Sequence, residues 1–231
     1  MAAMARVIEK LPVKRTSIGP TLRVSEIFHS LQGESTRVGL PTVFIRLTGC
    51  PLRCTWCDTA YAFAGGEALT LAMILERVAA FDCKTVCVTG GEPLAQAGCQ
   101  TLLTALCDAG YSVSLETSGA LDISAVDPRV VRVVDIKAPG SAEEAKNRWE
   151  NLDVLRPTDE VKFVLASRED YDWAKSALAG RHLTDKCPVL FSPVWDSLAP
   201  AQLADWILQD RLPVRFQLQM HKILWGAQRG K

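Results

Sequence analysis

The chain has 231 residues, 48% of them hydrophobic, and its 26 basic and 26 acidic side chains cancel to a formal charge of zero. That length suits one large folded domain with its own core, and the hydrophobic share excludes a disordered chain. The charge balance gives no global pull toward nucleic acid or a membrane surface, and there is neither an apolar run of membrane-spanning length nor an apolar signal core, so a cytoplasmic protein is expected.

Residues 1–20, with Pro12, Gly19 and Pro20, carry no clear period and read as a loosely ordered leader before a core domain at 21–231. From Arg23 strands and helices alternate. Strands are predicted at 23–29, 42–48, 85–89, 112–116, 131–135, 160–165, 189–192 and 214–220, and helices at 70–81, 95–109, 142–154, 168–178 and 200–209. Thr70 fits an N-cap before the apolar face Leu71, Ile74, Leu75 and Val78, and Gly110 fits a helix stop. This rhythm predicts an α/β fold with a mainly parallel sheet and crossover helices. Polar motifs fall where strands end: Thr89-Gly90-Gly91-Glu92-Pro93, Glu116-Thr117-Ser118-Gly119, Asp135-Ile136-Lys137 and Ser192-Pro193-Val194. In barrel-like β/α folds that end carries the chemistry, so one shared cavity is expected there.

Cys50, Cys54 and Cys57 stand as Cys-x3-Cys-x2-Cys on one short loop marked by Pro51 and followed by Asp58 and Thr59. A closed structural zinc site takes four ligands, whereas three thiolates suit an iron–sulfur cluster with one iron left open. A metal-stabilised binding module is the non-enzymatic alternative. Cys83, Cys87, Cys99, Cys107 and Cys187 read as small buried hydrophobes. Cys83 and Cys87 repeat the Cys-x3-Cys spacing, but a strand through them would hold the sulfurs roughly 13 Å apart at ~3.3 Å per residue, too far for one small cluster.

The cysteine loop followed by Gly90-Gly91-Glu92-Pro93 resembles the radical S-adenosylmethionine (SAM) enzymes. Within them, Ser25-Glu26-Ile27-Phe28-His29-Ser30-Leu31-Gln32-Gly33-Glu34, Gly39-Leu40-Pro41, Phe44-Ile45-Arg46 and Cys57-Asp58-Thr59 look like the 7-carboxy-7-deazaguanine synthase family. So do Val161-Lys162-Phe163 and the late run from Gln219 to Gly226. The resemblance covers about residues 23–230. It implies a partial, open β/α barrel of about six mainly parallel strands, and a 4Fe–4S cluster on Cys50, Cys54 and Cys57. It also implies SAM on the fourth iron, Mg²⁺ on Thr59, a homodimer, and an external electron donor such as flavodoxin or ferredoxin. The implied reaction is a radical ring contraction of 6-carboxy-5,6,7,8-tetrahydropterin with loss of ammonia, on the route to queuosine. Another radical-SAM enzyme, such as a glycyl-radical activase, is the alternative.

The resemblance assigns SAM contacts to Trp56, Cys57, Asp58, Gly91, Glu92, Ser118, Asp135, Ile136, Lys137, Ser192, Pro193, Val194 and Trp195. It assigns substrate contacts to Leu31, Gln32, Gly33, Glu34, Arg46, Thr89 and His221. Gln32 offers donor and acceptor together to an amide-like edge, and the Arg46 guanidinium suits a bidentate clamp on a carboxylate. No protein residue is expected to act as acid or base, the radical arising on the cofactor. The sequence departs from the family at Ser35, where a second glycine is usual.

Overall fold

The computed structural model describes residues 21–231, so the expected leader lies outside the described residues. Nine strands form one sheet: β1 (Thr21–Leu31), β2 (Pro41–Leu47), β3 (Glu67–Thr70), β4 (Thr85–Gly90), β5 (Ser112–Thr117), β6 (Val131–Ile136), β7 (Glu160–Leu165), β8 (Val189–Pro193) and β9 (Arg215–Phe216). Their order is β3-β1-β2-β4-β5-β6-β7-β8-β9. From β2 through β9 every neighbouring pair is parallel, while β1 runs antiparallel to both β2 and β3. The edges β3 and β9 do not pair with each other, so the sheet stays open, as expected.

Strand periodicity divides the sheet into two faces. Val43, Ile45, Leu47, Val86, Val88, Val113, Leu115, Val134, Ile136, Val161, Phe163 and Leu165 all enter one hydrophobic cluster. That cluster takes in Ile74 and Val78 of α1 (Leu71–Ala79), Leu102 and Leu106 of α2 (Cys99–Asp108), Tyr171 and Ala174 of α3 (Arg168–Gly180), and Leu203 of α5 (Pro200–Asp210). A one-turn helix α4 (Leu183–Lys186) precedes β8, and α6 (Met220–Trp225) closes the element order. The intervening strand residues Phe44, Arg46, Thr89, Glu116, Asp135, Lys162 and Val164 face a cavity instead.

Thr70 caps α1 as expected, its side chain accepting from Met73 N. Three expectations are corrected. The predicted helix at 142–154 is a run of 3₁₀ turns (Pro139–Ser141, Glu144–Lys146 and Trp149–Val154). Asn147 and Asn151 break it: Asn147 bonds both backbone groups of Lys137, and the Asn151 amide reaches Ile123 N, Gly119 O and Leu121 O. Side chains spent on distant backbone hold their own segment out of a regular helix. The predicted strand at 214–220 shrinks to Arg215–Phe216, and Met220 opens α6. The helix predicted from 95 begins at Cys99, after a 3₁₀ turn at Pro93–Ala95. β3 had no sequence signal beyond the Thr70 cap that ends it. Of the five cysteines expected to be buried, Cys87, Cys99 and Cys187 are, whereas Cys83 and Cys107 are half-buried.

At the strand ends away from the cavity, Asp159 is fully buried. It accepts from the Arg132 backbone (3.0 Å) and Nε (3.2 Å), and from the Arg156 backbone (2.8 Å) and Nη2 (3.0 Å). Burial works to raise its carboxyl, but the two guanidinium groups hold it below the usual range. Asp159→Ala strands Arg132, itself only 3% exposed, and is expected to cost about 3–5 kcal/mol in urea unfolding. A cost below ~1 kcal/mol would show the cluster to be dispensable.

Candidate active site

The cysteine loop leaves β2 at Gly49, whose φ of 100° places it in the left-handed region that glycine tolerates. Gly49 donates to Ala62 O (2.8 Å) and accepts from Glu92 N (2.8 Å). Gly91 is required at the same contact: a Cβ there would lie 2.5 Å from Gly49 O and 2.6 Å from Cys50 Cβ. The far side of the loop is held where Thr55 bonds Ser141 O (3.1 Å) and Gly140 O (2.8 Å).

Cys50, Cys54 and Cys57 are free thiols, half-buried together on this loop. Burial pushes the Cys50 and Cys54 thiols up; Lys137 pulls Cys54 back down, and the other sulfurs of the trio add to the rise. Among the described residues no three His, Cys, Asp or Glu side chains close on one point as ligands of a single ion would. Three neighbouring thiols with no fourth ligand match a cluster whose irons each take their own sulfur, so the donor set fits an iron–sulfur cluster better than a closed zinc knuckle.

Beside the loop lies a cavity of about 730 Å³. Of the predicted residues it gathers Leu31, Gln32, Gly33, Glu34, Arg46, Thr89 and His221 with Cys54, Trp56, Cys57, Asp58, Thr59, Asp135, Lys137, Val194 and Trp195. Cys50, Gly91, Glu92, Ser118, Ile136, Ser192 and Pro193 do not line it. Gly91 touches the loop through its backbone. Ile136 points its side chain to the helix-packed face, because its neighbours Asp135 and Lys137 take the cavity face. Glu92 is fully buried and spent on Leu94 N (3.0 Å), Thr117 Oγ1 (3.0 Å), Ser118 N (2.7 Å) and Ser118 Oγ (2.5 Å). It therefore braces the end of β5 from behind the wall.

Gln32 has its amide fixed from both ends: Nε2 donates to Glu116 Oε1 (3.2 Å), and Oε1 accepts from Glu34 N (3.1 Å). Glu116 also accepts from Thr89 Oγ1 (3.1 Å), so one carboxylate joins two predicted substrate residues. A register shift between Val24 and Glu26 sets Glu26 opposite Arg46. Glu26 Oε1 there takes the Arg46 Nε proton (2.7 Å) and the Tyr61 hydroxyl (2.8 Å). The guanidinium carbon lies 5.9 Å from the ring centres of both Phe28 and Tyr61. With Nε pinned, the Nη edge remains for a bidentate partner.

His221, the second residue of α6, lies over Gly33, where a Cβ would come 2.2 Å from its Nδ1. Met220 N donates to Gly33 O (3.0 Å). Ser35 adopts φ 67°, the left-handed conformation that a glycine would hold at less cost, and its Oγ accepts from Arg37 N (3.1 Å). Residues 226–231 line the same cavity, with Arg229 stacked 3.8 Å from the Tyr61 ring centre.

Six of the charged side chains on the walls pair with one another. Lys162 bridges Glu34 (2.6 Å) and Asp135 (3.5 Å), Lys137 meets Asp135 (3.1 Å), and Lys222 meets Asp58 (2.7 Å). Glu116, Lys162, Gln219 and Lys222 fall within family motifs but have no role assigned from sequence, and Tyr61 has no mention there at all. Glu116 and Lys162 carried a usable signal, being polar residues in apolar strands at cavity-face positions. Tyr61 had none.

Three comparisons bear on identity. Residues 44–178 match the family described as the Radical SAM superfamily. A 7-carboxy-7-deazaguanine synthase of Chlorobaculum tepidum is 50% identical over 208 residues, 89% of this chain and 94% of that one. Another, from Koribacter versatilis, is 41% identical, covering 88% of this chain and 97% of that one. The chain belongs to the 7-carboxy-7-deazaguanine synthase family of radical SAM enzymes. Membership implies a 4Fe–4S cluster and SAM. The crystal structure of QueE from Escherichia coli shares the fold, with a TM-score of 0.73 at 23% identity over 87% of this chain and 95% of that one.

Burial works to raise the Glu34 carboxyl, but the Lys162 ammonium, helped by the Gln219 amide, brings it down to about 2 from 4.5. A carboxyl lowered on folding stabilises the fold above its unfolded value, and that contribution is lost as pH falls from about 4.5 through about 2. The urea-midpoint difference between the native chain and Glu34→Gln is expected to be full near neutrality and to shrink across that window. A difference that stays constant through it would contradict the pairing.

Proposed function

We propose that this enzyme converts 6-carboxy-5,6,7,8-tetrahydropterin into 7-carboxy-7-deazaguanine with release of ammonia, supplying queuosine or another deazapurine in the cytoplasm. The observation that carries this reading is one cavity opening both onto the cysteine loop and onto the polar set Gln32, Arg46, Thr89 and Glu116. Cys50, Cys54 and Cys57 would hold the cluster. Gly91 (through backbone), Trp56, Asp135, Lys137, Val194 and Trp195 would hold SAM. When bound, the two would supply radical chemistry, and the protein would position the reactants and exclude water.

The chain's own residues do the placing. Arg46 would receive the substrate carboxylate on its Nη edge, held flat by Glu26, Phe28 and Tyr61. Gln32 would present its remaining amide proton and lone pair to the pyrimidinone edge, its plane set by Glu116 and Glu34 N. Thr59 gives its hydroxyl proton to Asp58 (2.9 Å), which leaves its lone pairs for a cation such as Mg²⁺ shared with substrate oxygens and water. A homodimer and an external one-electron carrier, flavodoxin or ferredoxin, complete the reading. Among the described residues no helix is long and apolar enough to cross a membrane.

Anaerobically reconstituted enzyme given SAM, reductant and carboxytetrahydropterin is expected to release the deazaguanine acid. Sustained SAM cleavage without that product would refute the assignment and favour another radical-SAM activity. Cys54→Ala is expected to lose iron and all turnover. Cys107→Ala, changed at the core margin, is expected to keep both and to lose at most ~1–2 kcal/mol of stability. Iron analysis of the two purified variants decides, and equal iron in both would remove Cys54 from the ligand set.

A further inference from the structure

Asp135 and Lys162 face each other across the parallel ladder between β6 and β7, and their side chains meet at 3.5 Å. Lys162 also reaches Glu34, distant in sequence, at 2.6 Å. Glu34 belongs to the turn after β1 that carries Gln32 and Gly33. Asp135 belongs to the strand end that carries Lys137, whose charge reaches Cys54. The links continue on both sides. Gln219 bonds Glu34 (2.8 Å) and Asp58 (3.3 Å), and Asp58 follows Cys57 directly. A chain of polar contacts thus starts at Asp58, directly after the cysteine loop, and passes Gln219, Glu34, Lys162 and Asp135 to Lys137.

Along this path Lys162 alone touches both the turn that carries Gln32 and the strand end that carries Lys137. Its side chain is 11% exposed, and Asp135 Oδ1 is buried without a protein partner at the same place. Removing one member of a buried charge pair leaves the other uncompensated, so loss of Lys162 would free Glu34 and Asp135 to move apart. Bound reactants tolerate little of this, since a misplacement of about 1 Å costs about a hundredfold in rate.

We propose that Lys162 is a positioning residue that sets the substrate-bearing turn Gln32–Glu34 in register with the cofactor-bearing strand end Asp135–Lys137. The inference rests on the reaction proposed above. Its effect would be on coupling: without Lys162 the two ligand sites keep their own contacts but are no longer held at reacting distance.

The test uses the full chain, wild type and Lys162→Met. Glu34→Gln serves as a second variant that cuts the same link with an uncharged isostere, should the first fold poorly. Two quantities are read. One is hydrogen exchange of the cofactor-free protein, at amides of the turn (Gln32 N to Leu40 O, Gly39 N to Gln32 O) against those of β5. The other is the number of 5′-deoxyadenosine molecules released per molecule of product in reconstituted enzyme, with dithionite as electron source.

Exchange in the turn is expected to quicken about fivefold or more with β5 unchanged, and the ratio to rise about tenfold. The proposal fails if deoxyadenosine and product fall in parallel. It fails equally if exchange quickens everywhere in both variants, or if the turn loosens while the ratio stays put. A wild type that cleaves SAM but makes no product sinks the functional reading. A wild type that turns over, with variants unchanged in ratio and exchange, sinks the Lys162 assignment alone.

Discussion

Two backbones meet where Gly91 lies against Gly49 and Cys50, so close that no side chain fits between them. Every distance at the site is measured from that contact. It joins the end of β4 to the loop leaving β2, its neighbour in the parallel sheet, so the three sulfurs are anchored to the most buried part of the fold. Glu92 extends the same anchorage to β5 by holding the Thr117 and Ser118 hydroxyls. The loop's position therefore comes from hydrogen bonds and close packing within the chain itself. A site that must hold reactive chemistry on one fixed path gains from such preorganisation.

The second constraint is electrostatic. The cavity wall carries Glu34, Asp58 and Asp135 against Lys137, Lys162 and Lys222, each engaged with at least one opposite charge. Ion pairs out of water give back much of their attraction in lost hydration, so this arrangement is weak as a source of stability. Its strength lies in geometry, because charges that need each other hold separate segments at fixed spacing. The pairs join stretches far apart in sequence: the turn after β1, the ends of β6 and β7, the cysteine loop and the entry to α6.

Sequence showed the skeleton of this arrangement because the relevant signals are local. The Cys-x3-Cys-x2-Cys spacing, the Gly90-Gly91 pair after a strand and the polar residues closing apolar strands each report a short-range constraint. What stayed hidden depends on partners far along the chain. Residues 142–154 have helical composition, but Asn147 and Asn151 commit their side chains to Lys137 and to the Gly119–Ile123 segment, and no window of sequence reveals those partners. Glu92 was read as a ligand contact because it follows the glycine pair; its burial behind β5 becomes visible only with the strands paired. Strand alternation turns the Ile136 side chain to the helix-packed face, away from Asp135 and Lys137. Ser35 shows the converse. Its substitution for the family's usual glycine was noticed from sequence, and the backbone there does adopt a glycine-like conformation.

The packing of His221 onto Gly33 sterically couples two positions nearly two hundred residues apart. Any larger residue at 33 collides with the imidazole, while a smaller one at 221 opens a gap over the turn after β1. Reshaping this corner for a bulkier ring would thus demand paired mutations, with each single intermediate at a disadvantage. A change of pocket shape is easier to build at walls where a single substitution suffices.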